Sequence, residues 1–352
     1  MSVSRFFWKR QESPKNKEVF SAHKVSFEEF VKLCQENSCV TNTSAFSNYT
    51  REIIVSFVKD IKKIFSLDRQ QMINVLLCLL ILYPKCIFAI VSSPTFNNIY
   101  DEIRPNIDPN VLNDYGNNFL FDITKFDDLI MVLNSDINVE INHLNYLSCP
   151  LLTYFVLHNK INMNQLIDLI HVLKRRHYDF NNSFIFYLPF TFTTDQTERI
   201  KLLMIITEIP TLDITLDLSW LRKILAPTVV YNEDSSILDL FNIILNRDDY
   251  RPLLYKIILQ DGHPEAESLL MKIIRIISKI DVDKLKQMLE FWDHEKRNTF
   301  IHFAAIFHYK RLLHYIMNLS VITIHANSEG KFPAELYTSS KLVNSLKTIE
   351  KK

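Results

Sequence analysis

Eleven histidines, five cysteines and the acidic pairs Glu28-Glu29, Asp127-Asp128 and Asp248-Asp249 are the side chains of this 352-residue chain best equipped for chemistry. His302, His308 and His314 stand six residues apart, whereas two metal ligands on one helix face need a spacing of three or four. Neither an H-E-x-x-H pattern nor an H-x-E with a following C-x-x-C occurs, so a zinc or iron enzyme is not expected. Cys34, Cys39, Cys78, Cys86 and Cys149 are odd in number, irregularly spaced and without a C-x-x-C pair. They read as reduced, mostly buried thiols. Cys149 beside Pro150 would be a nucleophile only with a histidine that the sequence does not pair with it, and a core thiol is the expected role. Glu28-Glu29, Asp127-Asp128 and Asp248-Asp249 would act as acid and base only inside a cleft that drives their pKa values apart. All three fall at predicted helix starts or turns, where carboxylates favour a helix N-terminus.

Composition narrows the chemistry further. Gly116, Gly262 and Gly330 are the three glycines of the chain. Isolated glycines write neither a P-loop nor a dinucleotide fingerprint nor a G-x-S-x-G elbow. No catalytic motif and no cofactor is therefore expected, and the chain reads as non-enzymatic. Forty basic residues balance forty acidic ones, so no overall field draws it to nucleic acid or to an anionic membrane. The basic clusters are short: Lys62-Lys63, Lys310-Arg311 and Lys174-Arg175-Arg176-His177. The last ends a predicted apolar helix, where cations complement the C-terminal dipole; a phosphate-binding or nuclear-import patch is the other reading. The most apolar run, Met72 to Tyr83, is halted by Pro84 and is too short for the roughly 20 residues of a membrane span. A cytoplasmic or nuclear protein is expected, with a host cytoplasm as the alternative site if it is a secreted effector.

The elements that must position these residues are helices. Residues 1–24 are polar and basic and read as a flexible tail, with Arg5, Phe6, Phe7, Trp8, Lys9 and Arg10 as a possible docking or targeting motif but no secretory h-region. Ser26 with Glu29 forms a capping box opening a helix Phe27 to Glu36. Thr50 to Phe65 repeats apolar residues at helical spacing, and Ser66 or Asp68 would cap the apolar helix that follows. This helical N-terminal segment is placed at 25–104. From about residue 105, short apolar helices alternate with Asn, Asp and Pro clusters at intervals near thirty, which is the mark of a repeat array.

The clearest unit is N-T-F-I-H-F-A-A-I-F-H-Y at Asn298 to Tyr309, followed by G-K-F-P-A-E-L at Gly330 to Leu336; Thr299 and Phe332 stand 33 residues apart. These stretches resemble ankyrin repeats, Thr299-Phe300-Ile301-His302 standing where that family has T-P-L-H. Arg297 stands where the family prefers glycine and His308-Tyr309 replaces its Gly-His, so both turns must hold unusual backbone angles without glycine. Comparable openings are proposed at Ser268, Ser236, Ser183, Cys149 and Asn118. Divergent repeats are placed at 105–260 with an insertion near 190–230, and the C-terminal repeats and cap at 261–352. The fold class expected is all-α, a helical segment followed by an ankyrin-like hairpin solenoid.

The resemblance implies that turn tips and exposed inner-helix residues meet another protein. Carried onto this sequence, those positions are Glu295, Lys296 and Asn298 with Ile306 and Phe307, then Ser328, Glu329 and Lys331, and upstream Asp114, Tyr115 and Asn117. His302 matches the family's histidine that bonds neighbouring turn backbone. The function expected is a monomeric scaffold or adaptor that binds a protein partner. The alternative is a microbial effector whose activity lies in residues 25–104 or in the insertion.

Overall fold

The computed structural model describes residues 26–37, 43–182, 184–225, 235–261, 264–319 and 323–336. The tail at 1–24, Cys39, the opening at Ser183 and the far end of the expected insertion lie outside the described residues. The chain is all-α, and its described residues contain no strand. It divides into two compact units at Asp108 and Pro109.

The first unit holds α1 (Phe27–Glu36), α2 (Arg51–Lys59), α3 (Ile61–Phe65), α4 (Arg69–Leu82), α5 (Ile87–Val91) and α6 (Phe96–Ile103). The capping box at the start of α1 is present: Ser26 Oγ accepts from Glu29 N–H at 3.1 Å, and Glu29 Oε2 accepts from Ser26 N–H at 3.0 Å. Two of the four amide groups that a helix start leaves unpaired are thereby satisfied. Phe30, Val31 and Cys34 form the buried side of α1, and the ring of Phe30 meets those of Phe46, Tyr49 and Phe57. Asp68 caps α4 through the Gln71 amide. Seven side chains of α4 are buried, which makes it the core helix that α1, α2 and α6 pack against. Tyr83 and Pro84 end it, because Pro disfavours the helical conformation in the residue before it. Among the described residues no helix is long and apolar enough to cross a membrane.

The second unit begins with a 3-10 turn at Phe119–Asp122 and continues as α7 (Phe126–Asn134), α8 (Leu151–His158), α9 (Met163–Arg175), α10 (Leu188–Phe192), α11 (Gln196–Thr207), α12 (Ser219–Leu225), α13 (Ser235–Leu245), α14 (Leu253–Asp261), α15 (Pro264–Ile280), α16 (Val282–Leu289), α17 (Phe300–Ile306), α18 (Lys310–Asn318) and α19 (Pro333–Leu336). These pair as successive hairpins whose second helices stack in sequence: α7 on α9, α9 on α11, α11 on α13, α13 on α15 and α15 on α18. In the other row the 119–122 turn packs on α8, α14 on α17 and α17 on α19. Leu202, Leu203 and Ile206 of α11 and Leu240, Phe241 and Ile244 of α13 are completely or almost completely buried. At about 1.5–3 kcal/mol for each such side chain, burial between neighbouring hairpins is the main cohesive term.

The structure relocates several sequence expectations. Residues 190–225, expected as part of an insertion, are α10 to α12 and continue the stack. Ser236 and Ser268 lie inside α13 and α15, second-row helices, so they do not open units. Apolar runs behind a serine occur in both rows, and only the turns tell the rows apart. The interval that stretches is the one from α14 to α17, where the 17-residue α15 and the added α16 intervene. Nor does the stack break at 260/261, because α14 packs on both α15 and α17.

Candidate interaction surface

Six turns of the array open on an Asn or Asp whose side chain holds the turn's own amides. Asn113 Oδ1 accepts from the amides of Tyr115 and Asn117 at 2.9 and 3.1 Å, and Asn145 Oδ1 from those of Leu147 and Cys149, both at 3.0 Å. Asn327 Oδ1 repeats this with Glu329 and Lys331 at 3.0 and 2.9 Å. Asp293 does so with Lys296 and Arg297, and Asp179 and Asp213 each hold one amide, of Asn181 and Thr215. Near the tip the chain turns left-handed, at Gly116 (φ 72°), Ser148 (φ 55°), Arg297 (φ 52°) and Gly330 (φ 74°). The two positions where glycine was missing do take unusual angles: Arg297, and His308 at φ 58°. At Arg297 the bond from its amide to Asp293 Oδ1 offsets the strain that a Cβ meets there.

Neighbouring turns are bonded into a ladder. Tyr146 N–H donates to Tyr115 O at 3.1 Å, His143 Nε2 lies 2.5 Å from Gly116 O, and Asn118 Nδ2 donates to Glu140 O. Asn142 Oδ1 accepts from Asp179 N–H at 2.7 Å, and Asn181 bonds both Thr211 O and Asp213 N–H. At the far end Ser328 N–H donates to Lys296 O at 2.9 Å. His302 makes the tie expected of it. Fully buried, it accepts from Thr299 N–H at Nδ1, and its Nε2 reaches Lys331 O at 3.2 Å.

Burial holds the His302 pKa below its usual 6.5, against the opposing pull of the Lys331 carbonyl. The unfolded chain then takes up this proton at a higher pH than the native state does. Stability from this site is therefore complete above about pH 6.5 and declines as pH falls toward the native-state pKa. Urea midpoints across pH 7.5 to 5 should fall less steeply in His302→Gln than in the wild type; equal slopes would remove the histidine from the account.

The ladder carries an exposed apolar row. Tyr115 is 75% exposed, Tyr146 73%, Leu147 86%, Phe184 69% and Leu216 55%. These residues belong to four consecutive turns. Phe184 is also left-handed, at φ 49°. Leu144, Phe184, Phe186, Leu212 and Leu216 line a cleft of about 340 Å³ between turns, with Asp213 and Asp217 at its side. Burial raises both carboxyls, but hydrogen bonds outweigh it: Thr215 for Asp213, and Tyr187 and Ser219 for Asp217. Both stay below the usual carboxylate range and are charged at neutral pH. A contiguous exposed apolar strip with a charged border is the usual sign of a binding surface.

The expected contact residues separate on this surface. Glu295, Lys296, Ser328, Glu329 and Lys331 are exposed on the last two turns, and Asp114 and Tyr115 on the first. Asn298 and Asn117 are buried and cannot meet a partner: Asn298 Oδ1 accepts from Asn327 Nδ2 at 3.0 Å, and the Asn117 amide is bound by Asn113. Ile306 is exposed, whereas Phe307 is only half so, its ring set against Phe303 and Tyr309. Tyr146, Leu147, Phe184 and Leu216 were missed. Their signal was aromatic and aliphatic residues inside Asn- and Asp-rich turns, such as L-N-Y-L-S at 144–148.

The groups weighed for chemistry lie elsewhere. Burial pushes the thiols of Cys86 and Cys149 up, away from the nucleophilic thiolate. Among the described residues no three His, Cys, Asp or Glu side chains converge as a metal site would need. The Lys174-Arg175-Arg176 cluster serves neighbouring hairpins. Arg175 donates to Asn134 Oδ1, Arg176 to the carbonyls of Ser135 and Ile137, and Lys174 reaches Glu208 O at 3.5 Å.

No family model matches the chain, and no solved structure does. It is 29% identical over 125 residues to an uncharacterized protein of Acanthamoeba polyphaga mimivirus. That match takes in 36% of this chain and 46% of the viral protein, so the chain spans less than half of the relative's length.

Proposed function

We propose that this chain is a divergent member of the ankyrin-repeat class, a non-enzymatic scaffold that binds another protein along the turn edge of its hairpin array. The observation that carries the reading is the row Tyr115, Tyr146, Leu147, Phe184 and Leu216, exposed on successive turns. A hairpin array spends most of its apolar residues on stacking. Large rings left in water at the turns do nothing for that stack and are the residue types that dominate interface energies. The two helices per unit, the turn-to-helix order and the histidine tie at His302 support the ankyrin assignment. The working surface shifts from the C-terminal turns toward the first four, where the apolar residues stand.

The test is quantitative capture of partners by the full chain and by Tyr146→Ser/Phe184→Ser, both checked for unchanged helicity and unfolding midpoint. Replacing two central anchors typically costs about 2 kcal/mol or more at an interface, so a specific partner should be recovered at least tenfold less well. Equal recovery would end the turn-edge reading. Partners lost instead with Glu295→Arg/Lys296→Glu would return it to the C-terminal turns.

A further inference from the structure

The charged residues that the turn segments of the row themselves supply are of one sign. The turn segments 109–118, 135–150, 177–187 and 208–218 contain no Lys and no Arg. They contain Asp114 in the first, Asp136 and Glu140 in the second, Asp179 in the third, and Glu208, Asp213 and Asp217 in the fourth. The C-terminal turns differ, mixing Lys296, Arg297 and Lys331 with Asp293, Glu295 and Glu329. Cations near the cleft are held by the scaffold. Arg247 is almost fully buried on backbone carbonyls, Lys256 Nζ donates to Thr215 Oγ1, and Lys223 lies 4.4 Å from the centre of the Tyr187 ring. The turn segments therefore add carboxylates and no Lys or Arg to the border of the row, with Lys174 and Arg175 at the helix end beside them.

We propose that this edge takes an extended segment of a partner protein in which Arg or Lys residues flank aromatic or aliphatic ones. The inference rests on the turn-edge reading above and names the chemistry of what binds there. Apolar side chains of the segment enter the cleft beside Phe184 and Leu216, and its cations meet the border carboxylates and the faces of Tyr115 and Tyr146. Stacked helices lie about 8–10 Å apart, and an extended chain advances about 3.3 Å per residue. Anchors should thus recur every two or three residues, and roughly nine residues reach across the four turns.

The probe is a fluorescein-labelled twelve-residue peptide of alternating Arg, Phe and Ser, with a matched peptide carrying Glu for Arg, titrated by anisotropy against the full chain. The Arg peptide should bind at least tenfold tighter than the Glu peptide and weaken severalfold between about 50 and 300 mM salt, as screening of exposed charges requires. Asp114→Lys/Glu140→Lys should lose at least tenfold; both residues are exposed, and Asp114→Lys alone, which leaves the Glu140 contacts in place, should lose about half of that in logarithmic terms. Tyr146→Ser/Phe184→Ser should lose both peptides. If the Glu peptide binds as well as the Arg peptide and the row variant abolishes both, the partner chemistry is wrong and the surface stands. If the row variant binds like the wild type, or the wild type binds neither peptide, the proposal is overturned.

Discussion

Arg247→Ala should cost about 3 kcal/mol or more of stability, as much as truncating a buried ring of the core. Its guanidinium, with a side chain only 9% exposed, donates to the carbonyls of Thr207, Ile209 and Leu212 at 2.5 to 2.8 Å and pairs with Asp249 at 2.7 Å. Those carbonyls lie at and just beyond the end of α11, and Arg247 follows α13, so one side chain closes the C-terminal end of one hairpin against the next. Truncation removes a buried charge-assisted network and leaves three carbonyls short of a donor, a class of change that costs about 3–5 kcal/mol. For a unit of this size that is a fall of roughly 6–20 °C in Tm. Arg247→Lys keeps the charge but lacks the planar fork, and should recover only part of the loss. Urea unfolding followed at 222 nm checks this, and a loss under about 1 kcal/mol for Arg247→Ala would show that the network adds little to stacking.

The second large effect is Gly116→Ala, expected to cost about 2–3 kcal/mol. At φ 72° any Cβ is strained, by about 1–2 kcal/mol, and here it would also meet the Tyr146 ring, 2.6 Å from Cε1 and 2.8 Å from Cγ. The Tyr146 backbone is held by its amide on Tyr115 O, so relief requires the ring to change its χ1 rotamer. Gly330→Ala provides the comparison, since φ is 74° and nothing lies within 4 Å of the added methyl. It should cost only the backbone part, about 1 kcal/mol. In the double variant Gly116→Ala/Tyr146→Ala the ring contribution should vanish, bringing the two glycine sites level. Equal costs in the two single variants would deny the contact with Tyr146.

How far the chain can be read from its residues depends on what fixes each feature. Local rules worked where a feature is local. The box at Ser26 and Glu29, the cap at Asp68, the stop at Pro84 and the left-handed Arg297 and His308 all follow from side chains within a few residues. The hairpin register did not, because Ser236 and Ser268 precede apolar helices just as true openings do, and burial on either row looks alike in sequence. The informative signal was Asn113, Asn145, Asp179 and Asp213, spaced 32, 34 and 34 residues apart, each tying its own turn. Asn298 and Asn117 were misplaced because a polar residue in a turn looks exposed until its partner is placed, Asn327 of the next turn for Asn298 and Asn113 of its own turn for Asn117. Of the apolar row only Tyr115 was named as a contact, and Tyr146, Leu147, Phe184 and Leu216 were not singled out.

The turn ladder also restricts how a partner can attach. Sheet edges recruit other chains by offering a run of unpaired amides and carbonyls that an incoming strand completes, a route to both recognition and aggregation. Here many tip amides are already taken by Asn or Asp side chains, and neighbouring tips are joined through Asn142, Asn181 and Asn327. What the edge presents outward is side chains on a backbone largely engaged with itself. Recognition must then discriminate by side-chain identity, and a generic extended chain, the kind that spreads along bare strand edges, finds little to hold.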